Sequence, residues 1–233
     1  MCYSYLLNDF LNLLFPVECI SCEKVIESRK SIICSNCFND ILKTDYHAYP
    51  RTNRFWALLN NYVSVEYALS LFTFRKGDVV QKLLYAMKYG NHPEVGTHIG
   101  IVYGIMIKQT RLSGVFDAII PVPLHKKKLQ KRGYNQSEMF AFGLSSVLDI
   151  PVDTTTIIRT VNNSSQTNKS SNDRFASTNG IFMAVHNNYP LIWEHVLVVD
   201  DIVTTGATVT SCVKTIQTVS NCKVSVASIA CAV

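Results

Sequence analysis

No apolar run in this chain reaches the ~18 uninterrupted residues that a bilayer crossing requires. Charge or proline breaks each run first, so the sequence holds no membrane span. Met1 to Pro16 is apolar enough to invite comparison with a secretory signal. Yet it lacks a basic leading region and carries Asp9 inside its apolar part. Tyr5, Leu6, Phe10, Leu13 and Leu14 suit a short amphipathic helix docked on the body instead. Charge is scarce as well: 17% of the 233 residues are charged against 48% hydrophobic, a balance that excludes a disordered chain and allows a sizeable core. Internal repeats are missing apart from one pair of cysteine knuckles. The expected setting is cytoplasmic.

Cysteine is the residue with most to say at the N-terminal end. Cys19-Ile-Ser-Cys22 and Cys34-Ser-Asn-Cys37 form two C-x2-C knuckles, and such a pair can aim four thiolates at the corners of one tetrahedron, the geometry of a zinc site. Two disulfides, or unliganded thiols, are the alternatives, and the absence of a secretory signal disfavours the disulfides. Four cysteine ligands leave no open position for catalysis, so the expected zinc is structural and ties together a segment too small to fold by burial alone. Cys212 and Cys231, among apolar neighbours, read as small core hydrophobes. Four thiolates against one dication lower the formal charge of +5, so overall basicity is mild and any anion site must come from local clustering.

The stretch Val196-Leu-Val-Val-Asp-Asp-Ile-Val-Thr-Thr-Gly-Ala-Thr208 carries the chemistry. Val196 to Val199 read as a strand buried on both faces of a parallel sheet. Asp200 and Asp201 fall where that strand is expected to emerge. Thr204, Thr205, Gly206, Ala207 and Thr208 are small enough to wrap backbone around an anion, and apolar residues at Val209, Cys212, Val213, Ile216 and Val219 have helical spacing. Strand, small-residue turn and helix N-terminus make a phosphate cradle. Paired carboxylates would repel a phosphate, so they must serve another part of the same ligand, and the vicinal hydroxyls of a ribose fit. The plainer alternative is that both aspartates cap the turn and the threonines are solvated.

This run resembles the phosphoribosyl pyrophosphate (PRPP) signature of type I phosphoribosyltransferases. The resemblance implies that Asp200 and Asp201 hold the ribose hydroxyls and act at the reacting centre, and that the loop from Val203 through Thr204, Thr205, Gly206, Ala207 and Thr208 binds PRPP.

Upstream, Phe116 to Pro123 reads as a second strand stopped by prolines, followed by the basic run His125-Lys-Lys-Lys-Leu-Gln-Lys-Arg132. That run reads as a loop and leaves three options: solvated surface, a pyrophosphate contact, or a strip for single-stranded nucleic acid with Tyr134 as a stacking platform. Pro-Val-Pro-Leu-His-Lys-Lys-Lys-Leu-Gln-Lys-Arg-Gly-Tyr-Asn-Gln136 resembles the corresponding loop of the ComF family, phosphoribosyltransferase-like proteins linked with DNA uptake and competence. The likeness covers nearly the whole chain. It takes in the four-cysteine segment, the F-x-F-x-x-G and M-K-Y-G elements between Phe72 and Gly90, then Arg159, Gln166, Arg174 and Gly180-Ile-Phe182. The chain departs from the family pattern at Val161, Asn163, Ser164, Ser165 and Ser177, in the segment that covers substrate in related transferases. The resemblance implies that Lys127, Lys128, Arg132 and Arg174 meet the pyrophosphate and that magnesium enters with PRPP. It further implies single-stranded DNA or competence proteins as partners.

The expected architecture is an α/β, Rossmann-like parallel sheet of the phosphoribosyltransferase type with a small N-terminal zinc ribbon. Residues 1–50 hold the helix and ribbon, 51–61 a connector, and 62–233 the transferase-like domain. Within the last, a hairpin is expected over Val63 to Phe74 and helices over Asp78 to Tyr89 and Val95 to Gln109. Gln166 to Ser177, rich in Ser, Asn and Thr, reads as a flap. The implied activity is transfer of a phosphoribosyl group from PRPP to a nitrogen acceptor. The alternative is a PRPP-responsive protein that binds single-stranded DNA without turnover.

Overall fold

The computed structural model describes residues 16–26, 32–161, 180–185 and 193–232. The N-terminal amphipathic helix and the flap expected over 166–177 lie outside the described residues. The first elements, β1 (Val17–Glu18) and β2 (Val25–Ile26), form a short antiparallel pair. Helix α1 (Ser35–Asp40) follows. Within the stretch expected as a connector, Arg54–Asn60 forms a helix, α2. Asn53 caps it by accepting from the Trp56 N–H at 2.8 Å while donating to the Ala68 carbonyl at 2.9 Å. Phe55 and Leu59 of this helix are fully buried, so the segment belongs to the core.

The body continues with β3 (Ala68–Thr73), α3 (Val79–Tyr89) and α4 (Pro93–Lys108). Then come β4 (Ala118–Pro121), α5 (Lys126–Arg132), α6 (Gln136–Leu148) and an antiparallel pair, β5 (Ile157–Arg159) with β6 (Phe182–Ala184). The last elements are β7 (His195–Val203), α7 (Ala207–Gln217) and β8 (Lys223–Cys231). Four strands pair in the order β3-β8-β7-β4, each parallel to its neighbours. Parallel neighbours need long crossovers, which cover both faces of a sheet. That is why Val196 to Val199 are wholly apolar and fully buried. On one face Leu83, Met87, Ile99, Tyr103, Phe140 and Leu144 form a core; on the other, Phe55, Leu59, Phe182, Val209, Cys212 and Ile216 do.

The hairpin expected over Val63 to Phe74 does not form. Only β3 is a strand there, and its partner is β8, parallel and far along the chain, in register from Ala68 opposite Val226 to Thr73 opposite Cys231. Val63 and Val65 instead pack into the second core as a buried approach. A long parallel partner offers a continuous ladder that a local turn cannot match. No helix among the described residues is long and apolar enough to cross a membrane.

Helices α4 and α6 cross at very short range. A Cβ at Gly100 would lie 2.4 Å from the Phe140 carbonyl oxygen, and one at Gly143 would lie 2.1 Å from that of Thr97. Backbone meets backbone there, and neither side can yield. Gly100→Ala is therefore expected to destabilise the protein by about 1–3 kcal/mol despite the better helix propensity of alanine. Urea unfolding measures it, and an unchanged midpoint would show that the two helices separate without cost.

Candidate functional site

The cleft exists because β4 stops early. Pro121 pairs with Val199, the Val122 N–H reaches the Val199 carbonyl at 2.8 Å, and Pro123 ends the ladder. Proline lacks the N–H that continued pairing needs, and this strand tolerates it near its end. On the other side β8 accompanies β7 as far as Val203 opposite Cys231. Asp200 and Asp201 thus lie inside β7, two residues before its end, and not at its exit as expected from sequence. They open toward the side that β4 has vacated.

An open cleft of about 230 Å3 forms there, lined by both aspartates and by Lys88, Ser137, Arg159 and Thr208, with Lys128 and Arg132 above. The carboxylates are almost entirely buried. Asp200 Oδ1 accepts from the Ser137 hydroxyl at 3.0 Å and from the Asp201 N–H at 2.9 Å. Asp201 Oδ2 lies 2.7 Å from Lys88 Nζ. Burial and the adjacent Asp201 charge push Asp200 up to about 7, against the pull of Lys88, Ser137 and the Asp201 N–H.

The basic run is a helix, α5, and not a loop. Lys, Leu, Gln and Arg are good helix formers. His125 caps the start by accepting from the Lys127 N–H at 3.2 Å, and Gly133 at φ 82 ends it. Helical period then sorts the charges: Lys128 and Arg132, four apart, share a face and both line the cleft, whereas Lys127 is exposed and does not. Arg132 donates to Gln136 at 2.9 Å, and Gln136 donates to the Met87 carbonyl at 3.2 Å, fixing the guanidinium. Tyr134 donates its hydroxyl to the same carbonyl. Burial, with Arg159, Arg132 and Lys88 nearby, holds the Lys128 ammonium below the ordinary lysine value. Burial likewise lowers Arg159, while Asp200 opposes that shift.

The threonine loop joins β7 to α7. Gly206 takes φ 79 at the helix cap, and a Cβ there would sit 3.1 Å from Leu59 Cδ2. Gly206, the cap residue, has no side chain to cap this helix start, and the first N–H groups of a helix have no intrahelical acceptor. Thr208 lines the cleft, Thr204 is exposed, and the Thr205 hydroxyl accepts from the Ala207 N–H at 3.5 Å. Val203 and Ala207 are buried, Val203 within the second core. Arg174 lies outside the described residues. Lys88, Ser137 and Arg159 were not singled out as site residues from sequence. Lys88 and Arg159 stand in quoted family elements, which was a usable signal; Ser137 looks like any serine in a first helical turn.

At the N-terminal end, the sulfurs of Cys19, Cys22, Cys34 and Cys37 all lie within 4.8 Å of one another. Four thiolates placed tetrahedrally around zinc at ~2.3 Å lie ~3.8 Å apart, within that limit, so the donor set fits a closed structural site. The knuckle is shaped locally, since the Glu23 N–H returns to the Cys19 carbonyl at 2.8 Å with Glu23 at φ 61. Burial opposes the Cys19 thiolate, but the backbone N–H groups of Cys34, Cys22 and Ser21 outweigh it and bring the thiol down to about 6.

Comparison with known proteins agrees with this geometry. The phosphoribosyl transferase domain family matches residues 135–233, which hold α6, both aspartates and the threonine loop. Competence protein F of Haemophilus influenzae (strain ATCC 51907 / DSM 11121 / KW20 / Rd) is 25% identical over 202 residues, covering 83% of this chain and 88% of that one. DNA utilization protein YhgH of Escherichia coli O157:H7 is 29% identical over 130 residues, 54% of this chain and 56% of the relative. These similarities support a ComF-family, phosphoribosyltransferase-like protein.

Two outcomes follow from the cysteine cluster and the buried aspartates. Freshly purified protein is expected to carry about one zinc per chain, and Cys22→Ser to lose it and to speed hydrogen exchange in residues 17–40. Elemental analysis showing no metal in unchelated parent protein would refute the site. The second concerns Asp200, whose folded value of about 7 stands above the 3.8 of the unfolded chain. The folded state retains a proton that the unfolded chain releases, so stability is full below pH 3.8 and is lost as pH rises through about 7. Asp200→Asn removes that loss and is expected to melt ~3 °C or more above the parent at about pH 8, with the gap closing toward pH 4. Parallel melting curves across that range would contradict the buried repulsion.

Proposed function

We propose that the cleft binds PRPP and that the protein transfers its phosphoribosyl group to a nitrogen acceptor. The observation that carries this is that Asp200, Asp201, Lys128, Arg132 and Arg159 line one cleft together with Thr208 at the start of α7. Each part of PRPP has a counterpart of suitable chemistry. The carboxylates accept from the ribose hydroxyls, the first amides of α7 take the 5-phosphate, and the cations meet the pyrophosphate. Arg174 is proposed to join them, and Lys127, on the outer side of α5, to add no more than a distant field.

In the reaction the nitrogen lone pair forms a bond to ribose C1 while the bond from C1 to the pyrophosphate oxygen breaks. The pyrophosphate leaves with that electron pair, and the nitrogen sheds its proton to solvent. Negative charge grows on the leaving group and positive charge on the ribose, so positioning and electrostatic stabilisation do the work. Lys128, Arg132 and Arg159 favour the first change and the aspartates the second. Magnesium entering with PRPP would supply further charge neutralisation, and Asp200 and Asp201 are the residues that would hold it. The fit rests on Asp201 Oδ2, a buried oxygen without a well-aligned hydrogen-bond donor.

A second reading is supported by the relatives' names and by the lysines that α5 turns outward: a protein that senses PRPP and handles single-stranded DNA without turnover. Both readings require PRPP binding, and only the first requires pyrophosphate release.

Calorimetry with PRPP and magnesium tests the shared requirement. Asp200→Asn with Asp201→Asn is expected to lose at least ~100-fold in affinity, as two charge-assisted hydrogen-bond sets disappear. Lys128→Ala with Arg132→Ala should weaken PRPP more than ribose 5-phosphate, whereas Lys127→Ala should leave both within about twofold. A folded double-aspartate variant that binds PRPP as the parent does would remove the assignment.

A further inference from the structure

A second cavity of about 490 Å3 adjoins the cleft and shares Lys88, Lys128 and Arg132 with it. Its remaining walls include Tyr89, Lys131 and Tyr134, so four cations and two aromatic rings line it and no carboxylate does. The rings differ in freedom. Tyr134 is tied by its hydroxyl to the Met87 carbonyl, while Tyr89 is 61% exposed. Two contacts limit the motion of Tyr89 while leaving it exposed: the Tyr85 ring meets it at a tilt of 45° with centroids 4.7 Å apart, and the Arg132 guanidinium lies 5.4 Å from its centroid. An exposed aromatic ring fixed in this way, beside a wall that carries cations and no carboxylate, suits a ligand that is planar at one end and anionic at the other.

We propose that this cavity binds a nucleotide, with the base on Tyr89 and its phosphate on Lys131 and Arg132. Base stacking on an aromatic side chain combined with a cationic wall is a general mode of nucleotide capture, and the volume suits one nucleotide. Lys88 stands at the junction, paired with Asp201 on the cleft side and lining the cavity on the other, so a bound base lies next to whatever the aspartates hold. The role of that nucleotide as the nitrogen acceptor rests on the PRPP reading; its binding does not.

The test uses variants outside the PRPP cleft. Mononucleotides, ribose 5-phosphate and a short 5′-phosphorylated single-stranded oligonucleotide are titrated against the parent, Tyr89→Ala, Tyr89→Phe and Lys131→Ala, with PRPP affinity measured on each. Tyr89→Ala and Lys131→Ala are expected to weaken nucleotide binding by ~10-fold or more. Tyr89→Phe should retain it, and PRPP affinity should stay within about twofold throughout. Equal affinity for mononucleotide and oligonucleotide assigns the site to free nucleotides, and tighter oligonucleotide binding with steep salt dependence assigns it to a strand end. The proposal is overturned if the parent binds no nucleotide up to about 5 mM, if ribose 5-phosphate binds there as well as a nucleotide, or if Tyr89→Ala changes nothing. Failure of the parent to bind PRPP would sink the PRPP reading separately and leave the nucleotide result standing.

Discussion

Two carboxylates held side by side in a buried strand repel each other, and the surroundings of Asp200 and Asp201 are arranged against that repulsion. Ser137 and two backbone N–H groups donate to them, Lys88 pairs with one, and burial with the Asp201 charge still pushes Asp200 up to about 7. Such an arrangement sacrifices stability in the unliganded protein for a concentrated set of acceptors. It depends in turn on sheet geometry, because the prolines after Ile120 remove the neighbouring strand at the level of the two aspartates.

Much of this was legible in the sequence, for reasons tied to particular residues. The apolar run before Asp200 has no alternative to burial on both faces, and Asp78 announces the start of α3 by capping it, accepting from the Gln81 N–H at 3.0 Å. The strand count between Val63 and Phe74 failed because alternation cannot distinguish a local partner from a distant one. The basic run was misread as a loop because charge density hid its helix propensity. With the helix assigned, the division between Lys128 with Arg132 and Lys127 follows from spacing alone. Lys88 was harder to assign, since its importance comes from α3 ending beside β7, a relation that no local pattern encodes.

The cysteine segment also proves less separate than its composition suggests. Ile32 and Ile33 belong to the larger core, Phe38 meets Phe72 edge-on with centroids 5.8 Å apart, and Lys82 Nζ donates to the Ile20 carbonyl at 3.4 Å. A metal bound by the four thiolates would therefore brace a corner of the hydrophobic core as well as its own knuckles, linking zinc occupancy to the packing of β3 and α4.

The helical form of α5 also constrains how this segment can vary. Each residue added or removed between Pro123 and Arg132 would rotate the following side chains by about 100° around the helix axis. Deleting Leu124 alone would swing both Lys128 and Arg132 off the cleft while preserving every positive charge in the run. Lysine and arginine can exchange places on the outer face at little cost, but the number of residues from the last proline to Gly133 has to be kept. In this part of the chain, length is more tightly constrained than composition.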